Sequence, residues 1–186
     1  MRSLVPLFAL ATAASAPALA VEPVPVASFR AIELHGGGIV SITPAPVQRV
    51  TLLEGNTQFT KVRVNGEGKL QIDACNQQCR NYRLRIQVET PKISGLGVNG
   101  GGMMTTANGF PHQKEIGVAV NGGGKIDARS IDAASVGAAV NGGGQIFVRS
   151  NGTLGAAVHG GGEIVYWGNP NVATSIAGGG AVSKGG

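Results

Sequence analysis

The sequence predicts an all-β chain wound as a β-solenoid. A glycine triplet recurs at near-constant spacing, short β-branched segments fill the intervals, and no interval carries a helical apolar period. Gly-Gly-Gly begins at positions 36, 100, 122, 142, 160 and 178, so from Gly100 the intervals are 22, 20, 18 and 18 residues. That period lies in the range of solenoid repeats, whose units cannot bury their apolar side alone and must stack. Glycine makes up 31 of 186 residues, well above the usual ~7%. Glycine within strands costs roughly 0.5–1 kcal/mol per residue relative to alanine. So many of them imply positive φ or very close chain approach at the turns.

Taken in order, residues 1–20 read as a signal peptide. Arg2 supplies a short basic start, Leu4 to Ala16 is mostly apolar, and Ala18-Leu19-Ala20 has the small-x-small form of a cleavage site. The apolar run is too short to span ~30 Å of hydrocarbon, and no later segment is long enough to do so, which predicts an exported chain without a transmembrane segment. Residues 21–28, with Pro23 and Pro25, read as an extended leader. Residues 29–186 read as a single solenoid domain, long enough to bury a sizeable core.

Within that domain, residues 29–98 form the first coils or an N-terminal β cap region. Their alternating segments place Val62, Val64, Leu70, Ile72, Leu84, Ile86 and Val88 inward, and Gly66-Glu67-Gly68 marks a turn. From Gly100 the units align as GVNGGGMM, AVNGGGKI, AVNGGGQI, AVHGGGEI and SIAGGGAV. Stacked about 4.8 Å apart, they put Val98, Val120, Val140, Val158 and Ile176 in one inward column. Asn99, Asn121 and Asn141 fall in a neighbouring column, continued by His159 and Ala177, and suit an amide ladder beside the turn. The turn glycines are Gly100, Gly101, Gly102, Gly122, Gly123, Gly124, Gly142, Gly143, Gly144, Gly160, Gly161 and Gly162.

From Phe29 to Gly186 the chain resembles the autotransporter-adhesin head, or GIN, domain family. The resemblance rests on Phe29-x-x-Ile32, Gly66-x-Gly68-x-Leu70-x-Ile72, a strand ending in Thr90-Pro91, and Gly162-Glu-Ile-Val-Tyr-Trp-Gly168-Asn-Pro170 before a last triplet. It implies a right-handed parallel β-helix on an exported protein. Family members usually carry Gly-Ser-Gly where this chain has Gly-Gly-Gly.

The residues that could carry chemistry are few. Cys75 and Cys79 are the two cysteines, and in an exported chain they are expected to form a local disulfide. The triplets lack the Gly-Lys-Ser/Thr ending of a phosphate loop. Positions matching Asp127 in neighbouring repeats are Thr105, Phe147 and Val165, which excludes a calcium array. No cofactor is expected, and no catalytic or metal role is assigned to His35, His112 or His159. The ten acids are scattered, against the clustered carboxylates of solenoid polysaccharide lyases and hydrolases. The formal charge of +5 favours acidic surfaces, but no basic cluster interleaved with aromatics points to nucleic acid. Lys61, Arg63, Lys69, Arg83 and Arg85 alternate with inward residues and are expected to share outward faces, a candidate surface for acidic glycan or cell-envelope polysaccharide. Trp167 is a further candidate contact, with alternation sending one of Tyr166 and Trp167 into the core.

The reading that follows is a non-catalytic, exported adhesion, binding or scaffold module, periplasmic or at the cell surface. A carbohydrate-active β-helix enzyme is one alternative. A self-associating structural homo-oligomer is another.

Overall fold

The computed structural model describes residues 22–75, 79 and 82–186, so the signal peptide expected over residues 1–20 lies outside the described residues. Strand makes up 65% of the described residues, and no helix occurs among them. The strands are β1 (Glu22–Val24), β2 (Ala31–His35), β3 (Ile39–Pro44), β4 (Arg49–Glu54), β5 (Lys61–Val64), β6 (Lys69–Asp73), β7 (Arg85–Thr90) and β8 (Gly95–Gly100). They continue as β9 (Met103–Thr106), β10 (Gln113–Gly122), β11 (Lys125–Gly142), β12 (Gln145–His159), β13 (Glu163–Trp167), β14 (Asn171–Ala177) and β15 (Ala181–Lys184).

Two parallel stacks form the walls of a solenoid. The first runs β6, β2, β8, β10, the C-terminal parts of β11 and β12, then β14. The second runs β7, β3, β9, the N-terminal parts of β11 and β12, then β13 and β15. The triplets turn the chain from the first sheet to the second at one corner. At the opposite corner β11 and β12 pass between sheets with register shifts near Ala128 to Ser135, whereas the earlier coils use loops.

The N-terminal end departs from simple winding. The level made by β6 and β7 lies outside the level made by β2 and β3, although it comes later in the chain. After β3 the chain reverses into β4, which pairs antiparallel with β7, and β5 pairs antiparallel with β6. The β5–β6 hairpin turns at Asn65–Gly68, where Gly68 has φ of 71°. These antiparallel strands cover the end of the coil as a β cap. Residues Glu22–Val24, expected within an extended leader, instead form β1 on the edge of β4.

A single apolar core runs from Phe29 to Ile164. Alternation along each strand sends Leu70, Ile72, Leu84, Ile86 and Val88 into it, and Val62 and Val64 pack against it half-buried. Val98, Val120, Val140 and Val158 are in register and fully buried. Ile176 continues their column by register, yet it is 47% exposed, and Val172 is 39% exposed. The reason is position: β14 and β15 form the last level, and among the described residues no further coil covers them.

Within each triplet the glycines differ in what they do. The first has positive φ, 130° at Gly100, 111° at Gly122, 116° at Gly142 and 114° at Gly160, and a Cβ there would lie 2.7–2.8 Å from the carbonyl oxygen of the glycine one coil below. A Cβ on the third would press on a valine Cγ1 of the coil below and sit 2.7–2.8 Å from a carbonyl oxygen at Gly124, Gly144 and Gly162. The middle glycines, Gly101, Gly123, Gly143 and Gly161, have nothing within 4 Å of that position. The expectation that every triplet glycine is demanded by the backbone is therefore corrected to two of the three. Between coils the corner is zipped by backbone hydrogen bonds, such as Gly123 N to Gly100 O at 3.1 Å and Lys125 N to Gly102 O at 2.9 Å. Cys75 and Cys79 form a disulfide at the end of β6.

Candidate ligand-binding face

The two outer walls differ in chemistry. On the first sheet, outward positions of the regular coils are small: Gly117, Ala119, Gly137, Ala139, Gly155 and Ala157 line up in register. Beside them runs the asparagine column. Asn121 Nδ2 donates to Asn99 Oδ1 at 2.8 Å and Asn141 Nδ2 to Asn121 Oδ1 at 2.9 Å, so these amides are spent on each other. His159 and Ala177 continue the column without an amide.

The second sheet carries the functional groups. In β11, β12 and β13 alternation points Lys125, Asp127, Phe147, Arg149 and Trp167 outward, while Ile126, Ala128, Ile146, Val148 and Ile164 are buried. Parallel pairing then places Asp127 beside Phe147 and Arg149 beside Trp167. The Phe147 and Trp167 rings lie 6.2 Å apart at 34°. The Arg129 guanidinium sits 4.9 Å from the Trp167 ring and 5.6 Å from the Phe147 ring, and Lys125 Nζ is 4.6 Å from the Phe147 ring. These are cation–π distances.

Arg129 is held from behind. Its Nε donates to Asp127 Oδ1 at 2.9 Å and its Nη2 to Asp127 Oδ2 at 2.5 Å. Burial pushes the Asp127 carboxyl up, but the bonds from Arg129 and the charges of Arg129 and Lys125 outweigh it and hold the group below its usual range. Arg149 donates through Nε to the Arg129 carbonyl at 3.2 Å and meets no carboxylate among the described residues. A groove of about 290 Å³ opens here, lined by Thr106, Asn108, Arg129, Ser130, Arg149 and Trp167. Trp167 Nε1 donates to Gly186 O at 3.0 Å, which fixes the indole edge. Tyr166, its neighbour, packs against the core.

The five basic residues singled out in the sequence do not share a face. Lys61, Arg63 and Lys69 lie on the first sheet, where Arg63 pairs with Asp73 at 2.5 Å and Lys69 with Glu33 at 3.1 Å and Glu67 at 3.0 Å. Arg83 precedes β7 and Arg85 opens it, on the second sheet. Arg85 and Trp167 are thus on the same wall but five levels apart, roughly 24 Å at the usual strand spacing. Alternation assigns a residue to one wall of its own strand, but it does not say which stack that strand joins. Conversely, Arg129, Phe147 and Arg149 were not singled out in the sequence as ligand contacts. The repeat alignment that pairs Phe147 with Val165 also pairs Arg149 with Trp167, and that is the signal from which the cluster follows.

The molecule defined by this geometry is a parallel β-solenoid with a chemically plain wall and an aromatic, cationic one. A family described as "Putative auto-transporter adhesin, head GIN domain" matches residues 112–170, the coils that build the aromatic wall. Among curated proteins none matches the chain. The solved structure of a "putative adhesin" from Bacteroides fragilis is similar at 18% identity, with 88% of this chain and 95% of that chain covered and a TM-score of 0.55. A "putative adhesin" from Parabacteroides distasonis aligns at 15% identity over 89% and 96% of the two chains, TM-score 0.46. A "Putative lipid binding protein" from the same species aligns at 16% identity over 89% and 96%, TM-score 0.43.

Proposed function

We propose that this chain is an exported, non-catalytic adhesion module of the cell envelope, a single solenoid domain over residues 29–186 that holds acidic glycans on its aromatic wall. The observation that carries the reading is Arg129 lying within cation–π distance of both Phe147 and Trp167, with Lys125 and Arg149 beside it. A uronic-acid-type sugar presents an apolar C–H face and a carboxylate. Aromatic rings suit the first, and an arginine without a carboxylate partner suits the second. The export-like residues 1–20 and the likeness to adhesin heads support an envelope location. A carbohydrate-cleaving reading needs carboxylates free to act on a bound sugar; on this wall Asp127 is held by Arg129, and Glu163 accepts from Gln145 Nε2 at 3.2 Å.

Isothermal titration with polygalacturonate tests the assignment. Binding is expected to weaken as salt rises, and Arg149→Glu or Trp167→Ala should each weaken it about tenfold, equivalent to about 1.4 kcal/mol. Arg85→Glu, on the same wall but distant, should leave it unchanged. Equal affinity in all three variants, or new reducing ends appearing in the mixture, overturns the reading.

A further inference from the structure

A cleft of about 830 Å³ lies away from the aromatic wall at the corner opposite the triplets. It is bounded by the segment entering β2, by the loop between β7 and β8, and by the segment entering β10. Its floor is apolar: Phe29 and Ile93 are buried, and Pro91 and Pro111 flank them. The walls are pinned. Gln48 accepts from Phe29 N at 3.1 Å and donates to Phe29 O at 2.6 Å and to Thr90 Oγ1 at 3.1 Å. Thr90 Oγ1 donates to Lys92 O at 2.9 Å, and Ser94 Oγ to Arg30 O at 2.9 Å. Gln113 Oε1 accepts from Ile93 N at 3.2 Å, leaving Gln113 Nε2 as a buried donor that the protein does not satisfy.

The rim is cationic. Arg30, Lys92 and Lys114 line the cleft, and none meets a carboxylate among the described residues. His112 is paired with Asp132 at 3.0 Å, and Glu115 is the acid of the lining.

We propose that this cleft is a binding site for a single-chain anionic lipid of the fatty-acid class. The acyl chain lies on Phe29, Ile93 and the two prolines, and the carboxylate sits at the rim among Arg30, Lys92 and Lys114. The volume falls within the range of small-ligand pockets. A glycan in the same place would leave hydroxyls unpaired against the apolar floor, at a cost for each. An acyl chain carries no hydroxyls to leave unpaired against that floor and gains burial. The excess of unpaired cations selects an anionic headgroup over a neutral one.

Calorimetric titration with laurate, below its micellar concentration, and with dodecanol of the same chain length provides the test. Laurate is expected to bind one per chain, at least tenfold more tightly than dodecanol. The doubly reversed variant Lys92→Glu/Lys114→Glu should lose at least tenfold for laurate at an unchanged melting temperature. Ser28→Trp, at the mouth, should block both ligands. Arg149→Glu should bind laurate normally, which separates this site from the glycan wall. No laurate binding, equal binding of laurate and dodecanol, indifference to the charge reversal, or binding only to phosphatidylglycerol vesicles overturns the proposal.

Discussion

At Gly142 and Gly143 two adjacent glycines face different constraints. Gly142 has φ of 116° and its Cβ position lies 2.7 Å from Gly122 O, whereas Gly143 opens onto space. Gly142→Ala should therefore destabilise by roughly 2–3 kcal/mol, since left-handed geometry alone costs about 1–2 kcal/mol for a residue with Cβ. Gly143→Ala should change stability by less than about 0.5 kcal/mol, as surface substitutions do. Urea melts of the two variants check the contrast. The triplets were legible in the sequence as turns, but the idle middle position was not, because spacing does not report which Cβ would collide. The common Gly-Ser-Gly form of the resembling family has its side chain where this chain has room. Asp127 supports a prediction with pH. Its carboxyl is depressed in the fold, so its contribution is present above the unfolded value of about 3.9 and is lost as pH falls through the lower folded value. Trp167 fluorescence should stay flat from neutral pH down to the ordinary carboxylate range and change only below it. In Asp127→Asn that acid transition should be absent. A transition centred near pH 6 contradicts the role given to this pair.

Among the strands, burial along the stack separates interior coils from the last one. Ile146 is fully buried and Ile176 is 47% exposed. Ile146→Ala should cost about 2–5 kcal/mol, and Ile176→Ala less than about 1 kcal/mol, measured by chemical denaturation. Equal costs would mean that the end coil is covered in solution. The Cys75–Cys79 disulfide closes a short loop at the end of β6. Reduction should lower stability by roughly 2 kcal/mol on chain-entropy grounds and leave the coils past Gly100 folded. Strand identity and inward columns from Val98 to Val158 were legible because each repeat restates the same alternation. The order of β6 and β7 outside β2 and β3 was not. That order depends on the chain reversing through β4 and β5, and antiparallel and parallel strands share one alternating pattern. The grouping of Lys61, Arg63 and Lys69 with Arg83 and Arg85 failed for the same reason.

At the scale of the whole molecule, the regular coils offer glycine, alanine and an asparagine ladder on one wall and aromatics and cations on the other. The apolar cleft occupies a third aspect, at the corner where the early coils need loops. A solenoid builds such separation cheaply. Each column is set by one position in the repeat, so a face changes character without disturbing the core. Arg63 and Lys69, two of the three basic residues at the N-terminal end of the first sheet, are paired with Asp73 and with Glu33 and Glu67. They therefore read as a cross-linked strand edge more than as a docking surface. The meeting of Arg129 with two rings from later coils was carried by the sequence only indirectly, through the repeat register that sets Phe147 and Trp167 on neighbouring coils. The most direct measurement is a residue-resolved NMR titration of the folded chain with polygalacturonate. The structure predicts shifts concentrated at residues 125–129, 145–149 and 165–167, weakening together as salt is raised. Shifts centred on residues 61–69, or none at saturating polysaccharide, would contradict the assignment of the aromatic wall as the binding face.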